Sequence, residues 1–293
     1  MLDAFSLSEA IPAIASPPPR LQRAQGALRV SVRRRGDLTV LGDLYQQGCL
    51  KARLPRGETD DWREIVSLNS SGGIAAGDDL LAEYAAGPGA NLLLANQAAE
   101  RCYRALPGAA PAHVRNRIAL DENASVEWLA QETILFDGAA LDRRLEIEMP
   151  GSARFLGVEM LVFGRAAMGE TVRALRLADT IRLRRDGRLV LHDAIRFDAA
   201  RHGAADAALA GRAALAGARA SATLLLAAPD ADTLLENLRA ALTMDGIEAG
   251  ASAWNGMLLA RILAPSGAAL RGAVIAALAV LRGERPLPRV WLC

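Results

Sequence analysis

Lysine is almost missing from this chain: Lys51 is the only one, and arginine supplies nearly all other positive charge. The imbalance is read as genomic codon bias rather than as phosphate recognition. Cysteine is scarce too. Cys49, Cys102 and Cys293 are scattered and form no C-x-x-C pair, which excludes a disulfide framework and points to a reducing compartment. The longest apolar run, Ala273–Leu281, falls far short of the ~20 residues that a membrane span needs. The first residues lack a positive stretch ahead of the apolar ones, and Pro12 interrupts Ala10–Ala15, so they do not read as a secretory signal. Formal charge is only +1, which gives no electrostatic case for nucleic acid or an anionic membrane as partner. The expected setting is the cytoplasm.

Catalytic spacings are equally absent. The glycine-bearing stretch Ser70–Asp78 has no lysine for a phosphate loop and no Gly-x-Gly-x-x-Gly for a dinucleotide. It reads as a turn between strands. Gly250-Ala251-Ser252-Ala253-Trp254 lacks the second glycine of a nucleophile elbow. Any triad would have to draw on His113, His192 or His202. His192, Asp193, Asp198 and His202 share one short window, but their spacing matches no compact metal site. No catalytic residue, stably bound cofactor or stable metal site is expected.

What is present is a chain of 293 residues, 52% apolar and 23% charged, long enough to bury a sizeable core. Residues 1–19 end in Pro17-Pro18-Pro19 and read as an extended lead-in; residues 20–293 read as one β-rich domain. Leu28, Val30 and Val32 alternate with polar residues before a turn at Arg35-Gly36-Asp37. Leu145, Ile147 and Met149 alternate with Arg144, Glu146 and Glu148 in the same way. Ile181 and Leu183 lead to Asp186-Gly187, which supplies the positive φ angles of a tight hairpin. Further turns are expected at Pro55-Arg56-Gly57, Gly87-Pro88-Gly89 and Pro150-Gly151.

The C-terminal third changes period. Leu234, Leu235, Leu238, Ala241 and Leu242 share one face of a helix over 230–242, with Thr233-x-x-Glu236 as capping box and Gly246 as stop. Leu270, Val274, Leu278 and Leu281 stripe a second helix over 266–282, ended by Gly283. Ala204–Ala220 is alanine-rich but weakened as a helix by Gly211 and Gly217. The expected architecture is mainly β, with a few helices, two of them in the C-terminal third.

Three segments gather polar residues in this apolar background: Asn69–Asp78, Gln97–Arg104 and Gln131–Ala139. They supply Asn69, Ser70, Ser71, Asp78, Gln97, Glu100, Arg101, Glu132 and Asp137; Glu159 and Glu170 follow in strand-like sequence. Together these eleven residues are the candidate polar passage or partner surface. Unpaired burial of Glu100, Glu127, Glu132, Asp137, Glu159 and Glu170 would be costly, so they should meet Arg101, Arg104, Arg143 or Arg165, or water. Three readings stay open: structural ion pairs, a hydrated passage, and paired acid–base catalysis.

These segments, with Leu21–Gly26, Gly48–Pro55, Phe155–Arg165 and Leu287–Trp291, make the chain closely resemble the urease accessory protein D family, also called H in some bacteria. One departure is Ala130, where the family usually has proline. The resemblance implies a β-helix-like fold and a non-enzymatic scaffold. It implies as partners a helical accessory protein F, a GTP-binding accessory protein G and apo-urease, with nickel as transient cargo and GTP hydrolysed by the G protein. The alternatives are a small-molecule hydrolase using an atypical pair among Glu132, Asp137 and Glu159, and a metal-storage module using the His192–His202 window.

Overall fold

A computed structural model of the protein describes residues 22–55, 61–198, 203–283 and 285–292. The proposed lead-in, Arg56-Gly57 of one expected turn, and His202 lie outside the described residues.

Two-residue alternation places the first strands. In β1 (Gln25–Arg35), Leu28, Val30 and Val32 are at most 2% exposed, while Arg29 and Arg33 face solvent. β2 (Leu38–Gly48) returns antiparallel to it; β3 (Leu50–Arg53) and β4 (Trp62–Asn69) pair in a second sheet. The chain then winds. β5 (Asp79–Ala86) lies in the first sheet, β6 (Asn91–Asn96) in the second and β7 (Glu100–Cys102) at a corner. The next turn repeats this with β8 (Ala112–Leu120), β9 (Ser125–Leu129) and β10 (Thr133–Leu135). β11 (Ala139–Met149) and β12 (Arg154–Phe163) follow, then β13 (Leu175–Arg185) and β14 (Arg188–Asp198) as a closing hairpin in the first sheet.

The first sheet has the order β14–β13–β11–β8–β5–β1–β2, and its five inner strands are all parallel. In the second sheet β4, β6, β9 and β12 are parallel. Successive strands thus alternate between sheets in stacked coils, the β-helix-like body that was expected. The Asp186-Gly187 hairpin forms with φ of 52° and 74°, and the turns at 87–89 and 150–151 join strands across the two sheets.

The remaining strands extend the second sheet and the remaining helices cover it. After a short helix α1 (Ala205–Leu209), β15 (Ala220–Ala227) pairs antiparallel with β12, and all eight of its residues are buried. Helix α2 (Leu235–Ala241), the hairpin β16 (Glu248–Trp254) and β17 (Met257–Ala264), and helix α3 (Gly267–Arg282) complete the chain. α3 forms as its stripe dictates: Ser266 Oγ accepts from Ala269 N at 3.2 Å, and Leu270, Val274, Leu278 and Leu281 are buried. One core fills the space between the sheets, around Leu28, Ile65, Trp128 and Phe155. A second lies between the second sheet and the helices, and a third occupies the corner.

The expected helix over 230–242 and its capping box need correction. The segment over 230–242 begins as a 3₁₀ turn at Ala231–Leu234 and becomes α-helical only from Leu235. Its capping box does not form: Thr233 Oγ1 donates back to Asp230 O at 2.7 Å, and Glu236 pairs with Arg239. The tighter turn brings that carbonyl within reach of the short hydroxyl side chain. The alanine-rich 204–220 stretch keeps only the five residues of α1, as its glycines lead one to expect.

Candidate functional site

The three polar segments are consecutive rungs of one corner. Ile74 bridges Cys102 in parallel, Cys102 pairs with Leu135, and Leu135 pairs with Phe163. Backbone bonds tie the rungs: Ile74 N donates to Arg101 O at 2.7 Å, Glu100 N to Glu132 O at 2.9 Å and Phe136 N to Cys102 O at 3.0 Å. Outside this apolar column runs an aromatic one. The Tyr103 and Phe136 rings meet edge-on with centroids 5.3 Å apart, and the Arg165 guanidinium lies 4.2 Å from the Phe136 centroid.

The glycine-bearing stretch is a turn between β4 and β5, as expected. Gly73 sits at φ 148°, and a Cβ there would come within 2.6 Å of the Tyr103 ring and 2.8 Å of Arg101 O. Asn69 organises the turn: its Oδ1 accepts from Ser71 N at 3.0 Å, and its Nδ2 donates to Gly73 O at 3.0 Å and Glu100 Oε2 at 3.3 Å. Ser70 Oγ donates to Cys49 O. Asp78 is buried and accepts from Ala24 N and Ala75 N, each at 2.8 Å, so it fastens the turn to the start of β1.

Among the described residues the other candidate carboxylates meet arginines, though not always the expected ones, whereas Glu100 meets Asn69. Asp137 accepts from Arg104 and from the amides of Arg173 and Ala174. Glu170 pairs with Arg165 at 2.9 Å and accepts from Asp137 N; the Arg165 hydrogen bonds hold its carboxyl down at about 2. Glu159 lies 2.7 Å from Arg143 and accepts from Trp128 Nε1 at 2.9 Å. Glu132 instead reaches Arg271 of α3 at 3.3 Å, and Glu127 takes Arg282 and Arg285. Gln97 and Arg101 are exposed. Glu132, Asp137 and Glu159 thus each engage a different arginine, a poor arrangement for a shared acid–base pair.

Arg143 is the hub of the interior. Burial discourages its charge, but Asp179, held through two bonds at 2.9 and 2.7 Å, and Glu159 more than compensate and raise its pKa. Its remaining nitrogen donates to Thr133 Oγ1 at 2.9 Å, which ties the corner to the first sheet.

Between the sheets, beside the corner, lies a cavity of about 60 Å³. Its wall mixes Leu28, Ile74 and Trp128 with Ser67, Asn69, Asn96, Glu100 and Asn116. The buried Asn96 Oδ1 has no hydrogen-bond partner among the described residues. Burial raises the pKa of Glu100, partly offset by the Asn69 hydrogen bond. Of these polar groups, Asn69 and Glu100 were singled out from the sequence. Ser67, Asn96 and Asn116 sit in strand-like stretches where nothing local distinguishes them.

Of the histidine window, the described residues His192 and Asp193 each engage an arginine. His192 Nδ1 accepts from Arg182 Nε at 3.3 Å, while the adjacent Asp193 pairs with Arg261 of β17. Among the described residues no group of three or more His, Cys, Asp or Glu side chains could hold a metal ion, and no helix is long and apolar enough to cross a membrane.

A family model described as UreD urease accessory protein matches residues 24–292. The urease accessory protein UreD of Dinoroseobacter shibae is 44% identical over 274 residues, 93% of this chain and 94% of that protein. Those of Xanthobacter autotrophicus and Methylobacterium sp. are each 45% identical, over 92% and 93% of this chain and 90% and 96% of theirs.

Proposed function

Because the chain belongs to the UreD family of urease accessory proteins, we propose that it is a non-catalytic scaffold for loading nickel into urease. In this reading it joins a helical accessory protein F and a GTP-binding accessory protein G, docks on apo-urease in the cytoplasm and leaves nucleotide hydrolysis to protein G. Nickel is cargo, not a resident cofactor.

The observation that supports a passage is the hollow beside the stacked segments. A hydrated cation cannot cross an apolar core, so any route must offer oxygen ligands and water. Ser67, Asn69, Asn96, Asn116 and Glu100 offer mainly neutral oxygens and one carboxylate whose ionisation burial discourages. Such a set holds a cation weakly enough to release it. Asp78 and Glu159 brace the turn and Trp128 beside it, while Asp137 and Glu170 hold the corner through amides and arginines.

The test uses a host that carries the whole urease cluster. Omitting this gene should leave urease inactive and nickel-poor. Glu100→Leu and Asn96→Leu should lower urease nickel content several-fold while pull-down shows the accessory assembly intact. Full nickel occupancy with both variants would place the route elsewhere, and active urease without the gene would end the scaffold reading.

A further inference from the structure

The outer face of the first sheet carries one row of alternating charge that crosses nearly its full width. Arg29 on β1 pairs in register with Glu83 on β5, Glu83 with Arg117 on β8, Arg117 with Glu146 on β11, and Glu146 with Arg182 on β13. The contacts are 2.7, 3.2, 3.2 and 3.8 Å in that order. At the ends, Arg29 lies over the Tyr45 ring on β2 and Arg182 donates to His192 on β14. None of this belongs to the corner or the interior cavity.

The neighbouring row is small over three strands and turns charged beyond them, with Glu148 on β11 and Arg184 on β13. Ser31, Ala85 and Ala119 pair in register across β1, β5 and β8, and Ala85 and Ala119 are exposed. Long side chains beside this low strip form an open groove of about 850 Å³. Its charged lining is balanced, with Arg29, Arg117, Arg182 and Arg184 against Asp43, Glu83, Glu146 and Glu148. A ligand of one sign, such as a nucleic acid, would meet as many repulsions as attractions along it.

Spacing selects among occupants of mixed sign. The row changes sign at every strand, about every 4.8 Å. Helix residues three and four apart are displaced ~4.5 and ~6 Å along the axis, so a pattern of alternating three- and four-residue steps advances ~5.3 Å per charge. Over the four intervals between Arg29 and Arg182 that mismatch grows to only ~2 Å, within the reach of long side chains. An extended segment shows same-face residues ~6.7 Å apart and would drift by ~8 Å, more than a whole strand.

We propose that this groove seats an α-helix of a protein partner, laid across the strands, whose charges alternate in sign at three- and four-residue steps. The helix rests on Ser31, Ala85 and Ala119 and sets each acid against an arginine and each base against a glutamate. Taking the partner to be the helical accessory protein F rests on the function proposed above.

The test inverts the row as a whole: Arg29→Glu, Glu83→Arg, Arg117→Glu, Glu146→Arg and Arg182→Glu together. In-sheet alternation survives, so the sheet keeps its cross-strand pairs, while every contact to the partner becomes a like-charge one. A second variant, Ala85→Trp with Ala119→Trp, fills the floor. Each full-length variant is co-expressed with accessory protein F, captured by a tag on this chain, and checked for fold by circular dichroism. Both should retain at least tenfold less protein F than the parent. Parental retention by both would overturn the proposal, and retention by the inverted row alone would overturn its electrostatic half. Should the fivefold variant fail to fold, the tryptophan pair decides the seat. A parent that binds no protein F would instead count against the function proposed above.

Discussion

Arg143 divides its three-nitrogen fork unequally between two carboxylates. Asp179 takes a bidentate pair, and Glu159 takes the single remaining charge contact. Burial therefore raises the pKa of Glu159, with the neighbouring Asp179 charge adding to it. Arg143→Leu leaves two buried carboxylates without their cation and should cost about 3–5 kcal/mol in urea denaturation. Replacing Glu159 and Asp179 by apolar residues as well should recover most of that loss, because the pair's desolvation penalty goes with it. Glu170 gives a pH test of the opposite sign. Its carboxyl sits at about 2 in the fold against an ordinary 4.5, so its contribution is full above 4.5 and fades as pH falls towards 2. Glu170→Gln should lower the urea midpoint at pH 7, with the gap to the parent shrinking steadily from pH 5 to pH 3.

At the scale of elements, the C-terminal run 285–292 acts as a clasp over the second sheet. Trp291 is 2% exposed and donates to Leu129 O at 3.0 Å; Gln131 Nε2 donates to Val290 O at 2.7 Å, and Arg271 reaches Trp291 O from α3. Gln131 is thus held from outside by the clasp, and Glu132 by Arg271 of α3, beside the corner stack. Trp291→Ala should cost about 3–5 kcal/mol by calorimetry or urea denaturation, the usual range for emptying a buried aromatic site. Elements that sort their own faces were legible in the sequence: β1, β11, the β13–β14 hairpin and α3 all follow local periodicity. The clasp was legible only as a family block, because Leu287–Trp291 is too short to show a period. The 3₁₀ start before α2 was hidden because its apolar face is the same in either helix type.

At the scale of the molecule, the column Ile74–Cys102–Leu135–Phe163 explains why the three segments were visible singly but not as one site. Its members are unevenly spaced, since each coil has loops of its own length, so no sequence period reveals the register. The cavity was hidden for a related reason: Asn96 and Asn116 lie on different sheets and meet only once the coils stack. The same winding sets an order on synthesis. Each parallel coil needs only its predecessor as a template, so stacking can begin while the chain is still emerging from the ribosome. The far side of the second sheet differs, for its cover includes α3 and Trp291, which are made well after the strands they cover. Until translation reaches them, Leu156, Val158 and Leu224 lack much of their lid, and the nascent chain carries a partly bare apolar face from the moment those strands are made until α3 and Trp291 arrive.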